Sequence, residues 1–115
     1  MSNVKLERIA SQITRELSQI FYEEVNNDIL KNVNIIDTKV TNDLSLAKVY
    51  YTFIGDFDKV LIADELKKAS SFLRTALAKK IEIRNVPELR FVYDESTLYG
   101  EHIEQIIEEI HKENN

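Results

Sequence analysis

The chain has 115 residues, of which 43% are hydrophobic and 30% charged, enough for one ordinary hydrophobic core and too few for two. It has no cysteine and only two glycines, Gly55 and Gly100. That excludes a disulfide frame, a thiolate metal site and every phosphate loop, dinucleotide fingerprint or nucleophile elbow that needs closely spaced glycines. Its net charge of −5 argues, as a whole-chain number, against a nucleic-acid partner.

From Leu6 to Phe21 apolar residues recur every three or four positions (Leu6, Ile9, Ala10, Ile13, Leu17, Ile20, Phe21), which predicts a helix with one buried stripe. The charges scattered through Met1 to Leu17 leave no continuous apolar region of a secretory leader, and no run approaches the ~20 apolar residues of a membrane span. Asn26, Asn27 and Asp28 stop the helix, since short polar side chains favour turns. Val33 to Val40 and Leu46 to Ile54 then read as strands. The second places Ala47, Val49, Tyr51 and Phe53 on one face and Lys48, Tyr50 and Thr52 on the other. Thr41, Asn42 and Asp43 between them predict an antiparallel hairpin. After a break at Gly55, Asp56 and Asp58, a second helical stretch runs from Lys59 to Ile81 with Ile62, Leu66, Ala69, Leu73, Ala76 and Leu77 inward. Ala69, Ser70 and Ser71 interrupt its helix formers, so it reads either as one long helix or as two meeting at a kink capped by a serine. Arg84 to Pro87 ends this region. Leu89 to Asp94 alternates as a third strand, and a final amphipathic helix carries Ile103, Ile106, Ile107 and Ile110. The helical crossover requires a parallel pairing for the third strand, hence an α+β domain with helices over one face of a small mixed sheet.

Charge is unevenly distributed along this order. Residues 67–90 carry seven basic and two acidic side chains, and residues 91–115 one basic and seven acidic. Lys67, Lys68, Arg74 and Lys79 share the side of the middle helix opposite its apolar stripe. Lys80 falls toward the apolar side, which predicts snorkelling near Ile81. Such a face is either plain solvated surface or a phosphate-binding surface gripped by guanidinium and ammonium groups, and charge alone does not decide. His102 and His111 have no metal-ligand spacing. The acid pairs Glu23 and Glu24, Asp94 and Glu95, and Glu108 and Glu109 read as solvated or helix-capping groups, and no serine lies in a nucleophile elbow. Tyr50, Tyr51 and Phe53 are either a base-stacking platform or an alternating core strand.

Taken together, these residues resemble the bacterial ribosome-binding factor A family from about Arg8 to Ile103. The matching positions are Arg8, Ile9, Ile13, Arg15, Glu16 and Leu17; then Val40, Thr41, Asn42, Asp43, Leu44, Ala47, Val49 and Tyr50; then Ala69, Phe72, Leu73 and Arg74; and finally Arg84, Pro87, Glu88, Leu89, Phe91, Tyr93, Asp94, Glu95, Ser96, Gly100 and Ile103. The resemblance implies an α+β fold: a single type II KH-like domain over residues 1–115, ordered α-β-β-α-kink-α-β, with helices on a three-stranded mixed sheet. Its core would span about residues 4–95, with an additional acidic C-terminal helix at about 97–112. It implies that the GxxG loop of other KH domains is replaced by a helix kink, here at Ala69, Ser70 and Ser71, with serine where the family has glycine. Where the family commonly has Asp-Pro-Arg after the first helix, this chain has Asp28, Ile29 and Leu30.

The resemblance further implies a cytoplasmic, monomeric, non-catalytic assembly factor without cofactor, metal, membrane or small-molecule substrate. Such a factor binds the free 30S subunit, assists late maturation and 5′-end processing of 16S rRNA, and supports growth in the cold. The predicted phosphate contacts are Lys67, Lys68, Arg74, Lys79, Lys80 and Arg84, with Arg8 and Arg15 from the first helix, although Glu16 can equally hold Arg15. The competing reading from charge and pattern is a ferredoxin-like protein-interaction or small-ligand module without RNA binding.

Overall fold

The structure, a computed structural model, describes residues 4–95. Helix α1 spans Val4–Glu23, strands β1 and β2 span Val33–Val40 and Leu46–Phe53, helix α2 spans Lys59–Ala78, and strand β3 spans Glu88–Tyr93; a short 3-10 turn, Leu30–Asn32, enters β1. The three strands form one sheet in the order β1-β2-β3, antiparallel between β1 and β2 and parallel between β2 and β3. Helix α1 packs over the β1 edge and α2 over the β3 edge. The expected α+β arrangement stands. The final helix, its acid pair Glu108 and Glu109, and both histidines lie outside the described residues.

The helical stripes of the sequence become the core. Ile13, Leu17 and Ile20 of α1 and Ile62, Leu66, Leu73 and Leu77 of α2 are fully enclosed. The alternation in β2 resolves the aromatic question for Tyr51 and Phe53, which face inward with Phe91 and Tyr93. Tyr51 lies edge-on to Phe91 and Tyr93 at 6.4 and 5.8 Å, and burial raises its phenol above the ordinary 10.0. Of the three candidate stacking aromatics, Tyr50 alone is on the other face.

Strand β1 departs from simple alternation. Its register slips between Ile35 and Asp37, a β-bulge at Ile36 that shifts which residues point inward. Val33 and Ile35 face the core before it, Thr38 and Val40 after it. Buried Thr38 is satisfied by a 2.8 Å hydroxyl-to-hydroxyl bond with Thr14 of α1, so the bulge is matched to a polar partner on the helix above.

Two expectations for the middle of the chain are corrected. The stretch α2 is one α-helix through Ala69, Ser70 and Ser71, with no second helix start. The Ser70 hydroxyl donates to the Lys67 carbonyl within its own turn, at 2.9 Å, and so does not cap a new helix. No residue there has the left-handed freedom that a break would use. The helix also ends earlier than Ile81: Lys79 is its C-cap, and Lys80 is exposed in the following turn.

Turns obey their side chains. Asp58 caps α2 by accepting from the Val60 N–H at 2.8 Å. Gly55 has φ +108°, and a Cβ there would lie 2.7 Å from the Phe57 ring. Gly55→Ala is therefore expected to lower stability by about 1–2 kcal/mol from backbone strain alone, read as a lower urea midpoint. In the hairpin, Asp43 accepts from the Ser45 hydroxyl at 2.7 Å, the Ser45 N–H at 3.0 Å and the Thr41 hydroxyl at 2.8 Å. These bonds, the Ser45 hydroxyl first, hold its carboxyl at about 2 instead of 3.8. Because the folded value lies below the unfolded one, this contribution is fully present above about pH 4 and is lost as pH falls toward 2. Asp43→Asn should flatten the acid limb of stability over that window, as measured by denaturation at stepped pH.

Candidate nucleic-acid interface

Burial of one stripe of α2 leaves its remaining surface free for charge, and the flank beside the edge strand β3 opens into a groove. Ala63, Lys67, Ser70, Glu88, Leu89, Arg90 and Phe91 line about 410 Å³ of it, and it continues past Ser45, Ser71 and Arg74. Lys67 and Arg90 present exposed charges at this groove and make no ion pair among the described residues. Glu88 shares the groove and opposes any bound anion. Just beyond the C-terminus of α2 follow Lys79, Lys80 and Arg84, all exposed and likewise without an ion pair among the described residues. Cations there are favoured by the carbonyl end of the helix.

The remaining predicted contacts are distributed differently. Lys68 is held at 3.1 Å by Asp64 one turn back and at 3.9 Å by Glu65; the Asp64 hydrogen bond, then its charge, raises the Lys68 pKa. Arg8 and Arg15 are exposed on α1, over the opposite edge of the sheet, and the structure does not bring them to the groove. Arg15 is 3.6 Å from Glu16. In the loop after α1, Leu30 is only 2% exposed, while the Asn27 side-chain oxygen accepts from the Ile29 and Leu30 N–H groups at 2.8 and 3.2 Å. An apolar anchor therefore replaces the family's basic residue, and neighbouring Lys31 is 3.5 Å from Asp28.

Arg74, one of the predicted phosphate contacts, is exposed at the groove but already engaged. Its Nε and Nη2 both donate to the Val86 carbonyl, at 3.0 and 2.6 Å, next to the fully buried Pro87. The side chain thus pins the connection that carries Lys79, Lys80 and Arg84, and it acts as a positioning residue.

The sheet also assembles a feature absent from the predicted contacts. Lys39 stands opposite Lys48, and Lys48 opposite Arg90, on the face turned away from both helices. The polar parity of β2 and β3 indicates Lys48 and Arg90. Lys39 joins them only because the bulge at Ile36 reverses the later half of β1.

Among the described residues no group of three His, Cys, Asp or Glu is placed to hold a metal ion, and no helix is long and apolar enough to cross a membrane.

A sequence model of the family described as Ribosome-binding factor A matches residues 5–107. The ribosome-binding factor A of Staphylococcus carnosus is 41% identical over 113 residues, covering 97% of this chain and 98% of that protein. Two structures of Thermus thermophilus proteins share the fold. The crystal structure of ribosome-binding factor A from that organism superposes with a TM-score of 0.70 at 20% identity, over 76% of this chain and 93% of that one. A homology model of the Thermus thermophilus factor, fitted into a cryo-EM map of its 30S complex, gives a TM-score of 0.64 at 21% identity, over 76% and 92%.

Proposed function

Because the chain belongs to the ribosome-binding factor A family, we propose that it is a non-catalytic assembly factor that binds the free 30S subunit and assists late maturation and 5′-end processing of 16S rRNA, with a role in growth in the cold. It acts as a cytoplasmic monomer and needs no cofactor. The observation that carries the binding role is the exposed cation set Lys67, Lys79, Lys80 and Arg84 along α2 and the connection that Arg74 pins. These groups suit phosphate and would act as a preformed surface. Binding one conformer of immature rRNA better than another shifts its population without any bond being made or broken.

Arg8, Arg15 and Lys68 are secondary contacts in this reading, since Lys68 must first leave Asp64 and the two arginines lie on α1. Ala69, Ser70 and Ser71 stand in for the GxxG loop as a helical turn, with Ser70 and Ser71 lining the groove and Ala69 packed against the core. The test is co-sedimentation with purified 30S subunits, 50S subunits and intact ribosomes over a salt series. Binding confined to free 30S subunits, falling steeply between roughly 50 and 200 mM salt, is expected. Salt-independent binding, or none, would sink the reading.

A further inference from the structure

We infer that the open face of the sheet is a second RNA-binding surface, which meets the α2 groove along the β3 edge at Glu88 and Arg90 and takes a single-stranded RNA segment across the row Lys39, Lys48 and Arg90. The inference rests on the family reading and adds to it a surface and a ligand class.

Three like charges in one cross-strand row are an unfavourable arrangement, because directly opposite side chains on one face stand about 5 Å apart. All three are exposed, and none forms an ion pair among the described residues. Both helices lie on the other face, so nothing described covers the row. A polyanion laid across it exchanges mutual repulsion for attraction to phosphates, which is the charge complementarity that commits this face to a phosphodiester chain.

The neighbouring row favours a single strand over a duplex. Tyr50 and Val92 pair across the strands immediately beside the cations and are half-buried. The Lys39 ammonium sits over the Tyr50 ring, 5.7 Å from its centroid. An aromatic ring flanked by cations is the arrangement on which unpaired bases stack while their phosphates are gripped; on binding, Lys39 moves from the ring to a phosphate and frees it for a base. Three carboxylates also belong to this face. Asp37 is opposite Tyr50 and already accepts from the Thr38 N–H at 2.8 Å, while Glu88 and Asp94 stand at the two ends of β3. They frame the cationic row and restrict the strand to crossing along it.

The test is a titration of the full chain with a 12-nucleotide oligouridylate, followed by amide NMR shifts and fluorescence anisotropy, with 30S co-sedimentation in parallel. Amides of Lys39, Lys48, Tyr50 and Arg90 should shift. Lys48→Glu should weaken oligonucleotide binding about 10-fold or more and lower the salt slope by about 0.7 for each phosphate no longer gripped. The same change places an acid between two bases, so it should raise the melting temperature. Weaker affinity accompanied by greater stability cannot come from misfolding. Tyr50→Leu should weaken binding with an unchanged salt slope. Shifts confined to the α2 groove, or unaltered affinity of Lys48→Glu for either oligouridylate or 30S subunits, would overturn this surface and leave the family reading intact. Failure of the wild-type chain to bind 30S subunits would overturn both.

Discussion

Replacing Lys67, Lys79, Lys80 and Arg84 together by glutamate should lower affinity for isolated 30S subunits by roughly a thousandfold or more and leave the chain folded. The size follows from counterion release: neutralising several phosphates makes binding electrostatic, and a protein with 6–10 such contacts already loses about 10³–10⁵ in affinity over a modest rise in salt. Removing four cations and adding four anions acts in the same direction. The fold should survive because all four side chains are exposed. The cost is the favourable placement of Lys79 and Lys80 beyond the helix C-terminus, about 0.3–1 kcal/mol each. Circular dichroism melts and co-sedimentation read the two effects separately. Lys68→Glu is the internal control: its ammonium is already engaged by Asp64 at 3.1 Å, and its reversal should matter far less.

Arg74→Ala should behave in the opposite way, with a large effect on stability and a small one on the electrostatics of binding. Two donors leave the Val86 carbonyl, and a charge-assisted bond of this kind contributes about 1.5–3 kcal/mol. For a small domain whose whole stability is about 5–15 kcal/mol, that is a substantial share. Affinity for 30S subunits should fall because the connection carrying Lys79, Lys80 and Arg84 is no longer fixed, yet the salt slope should change by less than one phosphate's worth. Arg74→Lys should not restore stability, since an ammonium cannot reproduce the two-donor grip of a planar guanidinium. Urea denaturation together with a salt series separates positioning from contact; an unchanged urea midpoint for Arg74→Ala would show that the Val86 bonds carry no weight.

The groove illustrates how far local pattern reaches. Lys67 and the basic turn after α2 are visible in sequence because a 3.6-residue period separates an apolar stripe from a charged side. What that period cannot say is which charges are already engaged. Lys68 meets Asp64 within its own helix, a spacing that sequence alone permits one to suspect. The partner of Arg74 is a backbone carbonyl twelve positions away, and a carbonyl leaves no trace in residue identity. No second helix start forms, for a related reason: two serines are compatible with a cap or with hydroxyls folded back onto their own turn, and the Ser70 hydroxyl takes the Lys67 carbonyl.

By itself the sequence determined the elements through β3 and their order, apart from the end and continuity of α2, together with the inward stripes of both helices, the parallel placement of β3 and the resemblance to the family. These are properties of period, turn chemistry and connectivity, each local or nearly so. Only the tertiary structure decided which cations are free of ion pairs among the described residues, that Arg74 holds a loop, and that Lys39, Lys48 and Arg90 share one row. That row depends on register across three strands and on a single bulged residue, Ile36, whose extra step turns the end of β1 over. A strand's side-chain period is two, so one residue of slip exchanges its faces, and the slip is set by core partners such as Thr14 that are far away in the chain.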